Sequence, residues 1–172
     1  KAGLHSAIPF LGERLSFYLK DVCGFNYDVV SAALAAGAED VRDARARAAA
    51  LTVVRDSDEF VAISGAFKRM KNILEQATLK GEAMTIEVDT ALLSDPSEQE
   101  LAGQVTRLAP LVKELGEMGR YEEALEMIAT LRPAIDSFFD KVMVMAPEPE
   151  LRKNRLALIS SVLQNFSSIA DF

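Results

Sequence analysis

Four polar side chains in a short basic stretch are the residues of this 172-residue chain best suited to binding chemistry. Lys68, Lys71 and Asn72 are spaced i, i+3 and i+4, so a helix places them on one face, with Arg69 adjacent. A cationic face on a rigid helix suits contacts to phosphate, and an asparagine amide can hydrogen-bond the edge of a base. The alternative is a solvated face with local ion pairs, for example Lys71 with Glu75.

A second basic stretch lies near the end of the sequence. Arg155 has Leu151 four residues before it and Ile159 four after it, so we expect it on the apolar stripe of a helix. A charge at the edge of a core needs a partner. Asp136 and Asp140 form an i, i+4 pair of like charges, which is destabilising unless a cation bridges it. We therefore predict that Arg155 forms a structural ion pair with one of these two aspartates.

Arg152 and Asn154 belong to the same basic stretch but point to other sides of the helical turn. Because neither is needed on the apolar stripe, both are better candidates than Arg155 for contact with a nucleic acid.

The sequence offers no catalytic constellation. The single histidine, His5, lies near the start, and the single cysteine, Cys23, has neither a basic neighbour in sequence nor a second cysteine. A glycine-rich phosphate loop is also absent. We therefore predict no catalytic residue, no metal site and no cofactor within this chain.

Composition narrows the class of protein further. Hydrophobic residues make up 49% and charged residues 26%, as in a soluble globular domain. The formal net charge of −7 argues against a sequence-blind nucleic-acid binder, which needs a broad basic face, but permits a local basic patch. One cysteine, no signal peptide and no apolar run long enough for a bilayer favour the cytoplasm. The start at Lys1 rather than methionine suggests a fragment of a longer protein.

The hydrophobic spacing is helical almost throughout and predicts an all-α bundle of about seven helices. Asp56 or Ser57 caps a helix that reaches Thr78, and an acidic loop follows over residues 79–94. The segment 95–98 combines an N-cap aspartate, a proline and a glutamate three residues on, which predicts a helix start. That helix should run to Met118, and the last helix should cover residues 150–169.

Three segments, in this order and spacing, take the interpretation further. They are residues 10–30 with Phe10–Leu15 and Gly24–Val30, the basic stretch Phe67–Leu74, and the end of the chain with Leu131–Met145, Leu151–Leu156 and Ala170–Phe172. Together they resemble the C-terminal, anticodon-binding region of bacterial glycyl-tRNA synthetase β subunits. The literal Asp-Ala-Leu-Arg string of the wider domain class does not occur, and the family usually continues a little beyond the position of Phe172.

The resemblance implies a fold similar to the anticodon-binding domain of arginyl-tRNA synthetase. It also implies two partners: tRNA(Gly), and the α subunit, bound through the full β subunit. The α subunit holds the catalytic site with its ATP and magnesium. Residues 1–55 are then an N-terminal helical segment, either a linker or part of the bundle, and residues 56–172 are the anticodon-binding bundle.

Glycine anticodons end in two cytosines, whose amino groups suit a carboxylate or carbonyl acceptor. Asp171 and Phe172 are possible readers, whereas the spacing of Phe166 predicts core packing. The RNA-binding candidates are thus Lys68, Arg69, Lys71, Asn72, Arg152, Asn154 and Asp171.

The competing interpretation is a helical protein-interaction module. Gly119–Leu125 resembles one tetratricopeptide half-repeat. A solenoid of such repeats needs several stacked copies to bury its core, and the sequence contains one.

Overall fold

The computed structural model describes residues 12–37, 40–82 and 85–169, and this part of the chain is helical with short connections and contains no strand. The all-α fold that the sequence predicts is confirmed. The helices are α1 (residues 12–22, ending in the π-helical turn Tyr18–Val22), α2 (Tyr27–Ala36), α3 (Val41–Val54), α4 (Asp58–Leu79), α5 (Pro96–Glu117), α6 (Tyr121–Ala129), α7 (Arg132–Lys141) and α8 (Pro149–Phe166), with a 3₁₀ turn at Thr90–Leu92.

Local capping signals fix where α4 and α5 begin. The Ser57 hydroxyl accepts a hydrogen bond from the Phe60 N–H at 3.2 Å. At α5 the Asp95 carboxylate accepts from the Ser97 N–H at 2.8 Å, while the Glu98 carboxylate accepts from the Asp95 N–H at 2.8 Å. This reciprocal capping box satisfies amides that would otherwise lack partners in the first turn. α5 ends at a turn whose Gly119 has a φ of +70°, a conformation that glycine adopts without strain.

The two long helices α4 and α5 hold the rest of the bundle. α6, α7 and α8 each pack against both of them. The core between them is filled by large side chains with no exposed surface, including Phe67, Phe138 and Phe166. Phe166 is therefore the core residue that its spacing predicts. None of the described helices combines the length and the apolar character needed to cross a membrane.

Two of the N-terminal helices, α2 and α3, share this core, whereas Leu15 and Leu19 of α1 pack in a separate buried cluster with side chains of α2 and α3. α3 packs against α6, and its Leu51 and Val54 belong to the same buried cluster as the side chains of α4 to α8. The Arg47 guanidinium lies 5.0 Å from the centre of the Tyr121 ring, and it pairs with Asp43 at 3.0 Å. The Tyr121 hydroxyl donates to the same carboxylate. The division predicted at residue 55 is thus not marked by any break in the core of the described residues.

Candidate nucleic-acid interface

The predicted basic face lies on the solvent side of α4. Lys68, Arg69 and Asn72 are exposed, and Lys71 is half-buried at the edge of the face. The opposite side of the helix is anchored by fully buried side chains, namely Ile63, Phe67 and Met70. Since a helix of 22 residues held along its inner face is rigid, it presents these polar groups at fixed spacing.

Arg69 is positioned by a contact that the sequence analysis missed. Its guanidinium carbon lies 4.0 Å from the centre of the Phe139 ring on α7. A guanidinium over an aromatic face is attracted by the ring quadrupole and keeps its N–H groups free to point outward. Phe139 therefore holds Arg69 in place and connects the basic face of α4 to α7.

Arg155 has a partner, but not the one predicted. Its Nε donates to Glu98 Oε1 at 2.5 Å, and its Nη1 donates to the Met143 carbonyl at 3.0 Å. Asp136 instead pairs with Arg132 on its own helix, at 3.5 Å. The prediction of Asp136 or Asp140 was wrong because Arg132 is a local, i−4 neighbour of Asp136, whereas the packing of α8 on α5 brings Arg155 to Glu98.

Glu98 is 1% exposed and lies where α5 begins against α8. It closes the capping box and neutralises Arg155, so the ion pair ties the start of α5 to the middle of α8. Its neighbour Asp95 is the N-cap residue. The hydroxyl of Ser97, and next its backbone N–H, hold the pKa of the Asp95 carboxyl below its usual value.

Arg152 is also engaged within the chain. Its Nε donates to Glu82 at 2.6 Å, and its Nη1 donates to the carbonyls of Ala146 and Pro147 at 2.7 and 3.1 Å. Arg152 thereby joins the segment after α4 to the connection between α7 and α8.

Asn154, also a candidate for RNA contact, is held inside the fold. The residue is 5% exposed. Its Oδ1 accepts from the Asp89 N–H at 2.8 Å, and its Nδ2 donates to the Asp89 carbonyl at 3.0 Å. Both polar groups of the amide are thus used to fix the acidic loop 85–93 against α8.

Several other predicted residues fall elsewhere. Asp171, His5 and Phe172 lie outside the described residues. Cys23 is half-buried and has no disulfide. Within residues 12–37, 40–82 and 85–169, no group of three or more histidine, cysteine or carboxylate side chains is placed to hold a metal ion.

The partners that reasoning from the sequence missed are Phe139, Glu98, Glu82 and Asp89. Each is distant in sequence from the residue it holds. The polar partners are separated by 57 to 70 positions, and Phe139 on α7 is likewise 70 positions from Arg69 on α4. The capping-box pattern at Asp95 was the available signal for Glu98, but it gave no hint of Arg155.

The fold and this face define a helical binding module in which one rigid helix presents cations to solvent. Comparison with known families is more specific: residues 63–171 match the DALR anticodon binding domain. The chain belongs to this family. The segment Gly119–Leu125, which resembles a tetratricopeptide half-repeat, forms the turn between α5 and α6 and the start of α6 within the same bundle.

Three curated relatives share one description. The glycine–tRNA ligase β subunit of Acidobacterium capsulatum is 54% identical over 175 residues, covering 99% of this chain and 25% of the relative. The β subunit of Anaeromyxobacter dehalogenans is 44% identical over 86% of the chain and 21% of its own length. That of Desulfatibacillum aliphaticivorans is 38% identical over 96% and 23%. The chain thus spans about a quarter of the length of the relatives it matches.

Proposed function

We propose that this domain binds tRNA(Gly) and recognises its anticodon as part of a glycine–tRNA ligase β subunit. The observation that carries the proposal is the match to the DALR anticodon binding domain together with 54% identity to such a subunit over nearly the whole chain. The exposed cations of α4 support it at the level of chemistry.

Lys68 and Arg69 make the main phosphate contacts, and Asn72 lies beside them. Lys68 and Asn72 lie one turn apart on the exposed side of α4, and Arg69 is held over Phe139. Ammonium and guanidinium groups neutralise phosphates and orient the RNA without reading its sequence. Lys71 lies at the half-buried edge and contributes less.

The second basic stretch acts indirectly. Arg152 and Asn154 hold the segments 80–82 and 85–93 against α8, so we assign them a structural role instead of direct RNA contact. Asp171 remains a candidate reader, because a carboxylate accepts a hydrogen bond from the cytosine amino group.

Aminoacylation itself takes place elsewhere. We assign the chemistry, with its ATP and magnesium, to the α subunit that binds the full β subunit. The domain orients the anticodon stem in the cytoplasm so that the acceptor end reaches the partner's active site.

The basic face is tested by reversing its charge. Lys68→Glu with Arg69→Glu should weaken tRNA(Gly) binding, because two phosphate contacts become repulsive. The slope of log affinity against log salt should become shallower by about one for each phosphate that is no longer neutralised. Affinity is measured by titration at several salt concentrations.

Arg107→Glu with Lys113→Glu is the matched control, since both residues are exposed cations on α5 and the pair changes the net charge by the same amount. It should leave the salt slope nearly unchanged. An equal weakening in the two variants would assign the effect to net charge and exclude α4 as the phosphate-binding face.

A further inference from the structure

A continuous groove runs along α6, between α3 and the start of α4 on one side and α7 on the other. It consists of three recesses of about 420, 370 and 600 Å³. Val53 lines both the first and the second recess, and Glu59, Glu126 and Ala129 line both the second and the third. The recesses therefore form one surface feature.

The floor of the groove is apolar and belongs largely to α3. Ala46, Ala49 and Val53 recur at i, i+3 and i+7, so they form one stripe along the helix, and all three are exposed. Val53 is 64% exposed. The opposite side of α3 is already buried in the core through Ala44, Ala48 and Leu51. A second apolar stripe at helical spacing is typical of a helix that packs on two sides.

The rim of the groove is acidic. Five carboxylates and two guanidinium groups line the three recesses. Arg120 pairs with Glu123, and Arg132 pairs with Asp136. Glu122 and Glu126 are an i, i+4 pair of like charges on α6, which is unfavourable until a cation approaches.

This chemistry selects the occupant. An acidic rim repels RNA phosphates, so the groove lies outside the tRNA-binding surface. An apolar stripe at i, i+3 and i+7 matches the stripe of another helix, and surplus glutamates match lysines or arginines flanking that stripe. The nine residues of α6 span roughly 13 Å at 1.5 Å per residue, enough for two to three turns of a docked helix.

We propose that the groove docks a basic amphipathic helix from the remainder of the full-length β subunit. The relatives are about four times as long as the stretch they share with this chain, so most of such a subunit lies outside this domain. Docking within one polypeptide occurs at high effective concentration, so a shallow groove suffices to hold a tethered helix. The docked helix fixes the anticodon-binding domain relative to the rest of the subunit.

Hydrogen exchange in the full-length subunit tests the docking. Val53→Glu places a carboxylate on the floor without disturbing the core, because Val53 is exposed. Amides of residues 45–53 and 121–129 should exchange roughly tenfold faster than in the unmodified subunit. Glu122→Lys, which reverses a rim charge and touches no buried group, should act in the same direction.

Val41→Glu is the matched control: it is the same substitution on the same helix, at a half-exposed position outside the groove. It should leave exchange in both segments unchanged. Unchanged exchange in Val53→Glu and Glu122→Lys would overturn the proposal. So would protection that appears only when the α subunit is added or only as protein concentration rises, because the occupant would then be another chain.

Discussion

The Glu98 carboxylate makes local and long-range contacts at once. One oxygen accepts from the Asp95 N–H at 2.8 Å, and the other accepts from Arg155 at 2.5 Å. The local contact, with the Asp95 N–H, was predictable because the capping pattern lies within four consecutive residues. The long-range contact was not predictable, because Glu98 and Arg155 are 57 positions apart and are brought together only by the packing of α8 on α5. Sequence spacing showed that Arg155 needs a partner without showing which.

Removing the Glu98 carboxylate should strongly destabilise the fold. Glu98→Ala leaves the Arg155 guanidinium, 13% exposed, without its counterion and leaves the Asp95 N–H without its acceptor. Breaking a buried pair from one side costs about 3–5 kcal/mol. The free energy of unfolding is measured by urea titration.

Glu100→Ala removes an exposed carboxylate two positions further along α5 and should change stability by less than about 0.5 kcal/mol. The double variant Glu98→Leu with Arg155→Met should recover much of the stability, because neither charge remains buried. A cost below about 1 kcal/mol for Glu98→Ala would show that the ion pair does not hold α5 to α8.

At the scale of the elements, helix starts were easier to predict than helix ends. The starts of α4 and α5 carry side-chain caps, which are local signals. The apolar spacing after Pro133 predicts a helix that reaches about Val144, but α7 ends at Lys141, three residues earlier. The connection after it is extended at Val142 and turns at residues 144–145, and it buries Val142, Val144 and Ala146 while leaving Met143 exposed. Because these residues are apolar, their spacing alone did not distinguish an extended connection from another helical turn.

The ionised N-cap of α5 should make the stability of the fold depend on pH in the acidic range. Hydrogen bonds from Ser97 depress the pKa of Asp95 below its ordinary value of 3.8 in the folded state. A depressed carboxyl pKa stabilises the fold above the unfolded pKa, and this stabilisation is lost as pH falls through the folded pKa. Asp95→Asn removes the ionisation. The difference in urea midpoint between the unmodified protein and Asp95→Asn should therefore narrow as pH falls below about 4.

Asp140→Asn serves as the control, because Asp140 is exposed on α7 and caps no helix. If the difference in urea midpoint between Asp95→Asn and the unmodified protein stayed constant from pH 7 to pH 2, this result would contradict a role for the ionised N-cap.

At the scale of the whole molecule, opposite charges are placed on different surfaces. The net charge is −7, yet Lys68 and Arg69 form an exposed basic patch in the middle of α4, while the α6 groove has an acidic rim. Helical periodicity was enough to predict the all-α bundle, and ordered motifs were enough to suggest the family. The site was only partly predictable. Whether Asn154 faces solvent or a loop depends on where residues 85–93 pack, which no local pattern specifies.

The same scale bears on the predicted division at residue 55. α2 and α3 bury side chains in the core that α4 to α8 also form, and Arg47, Asp43 and Tyr121 connect α3 to α6. Burial raises the pKa of Tyr121, and the hydrogen bond to Asp43 raises it further, so the hydroxyl stays protonated as a donor at neutral pH. We propose that α2 and α3 are part of the same bundle as α4 to α8 and not a separate linker.

Anticodon recognition is tested most directly by titrating the domain with two RNAs at several salt concentrations. One is tRNA(Gly), and the other is the same tRNA with its two anticodon cytosines replaced. We predict binding of tRNA(Gly) that weakens as salt rises, because binding releases counterions from the phosphates and added salt opposes that release. We also predict weaker binding of the replaced tRNA at every salt concentration. Equal affinity for the two RNAs throughout the salt series would contradict recognition of the anticodon by this domain.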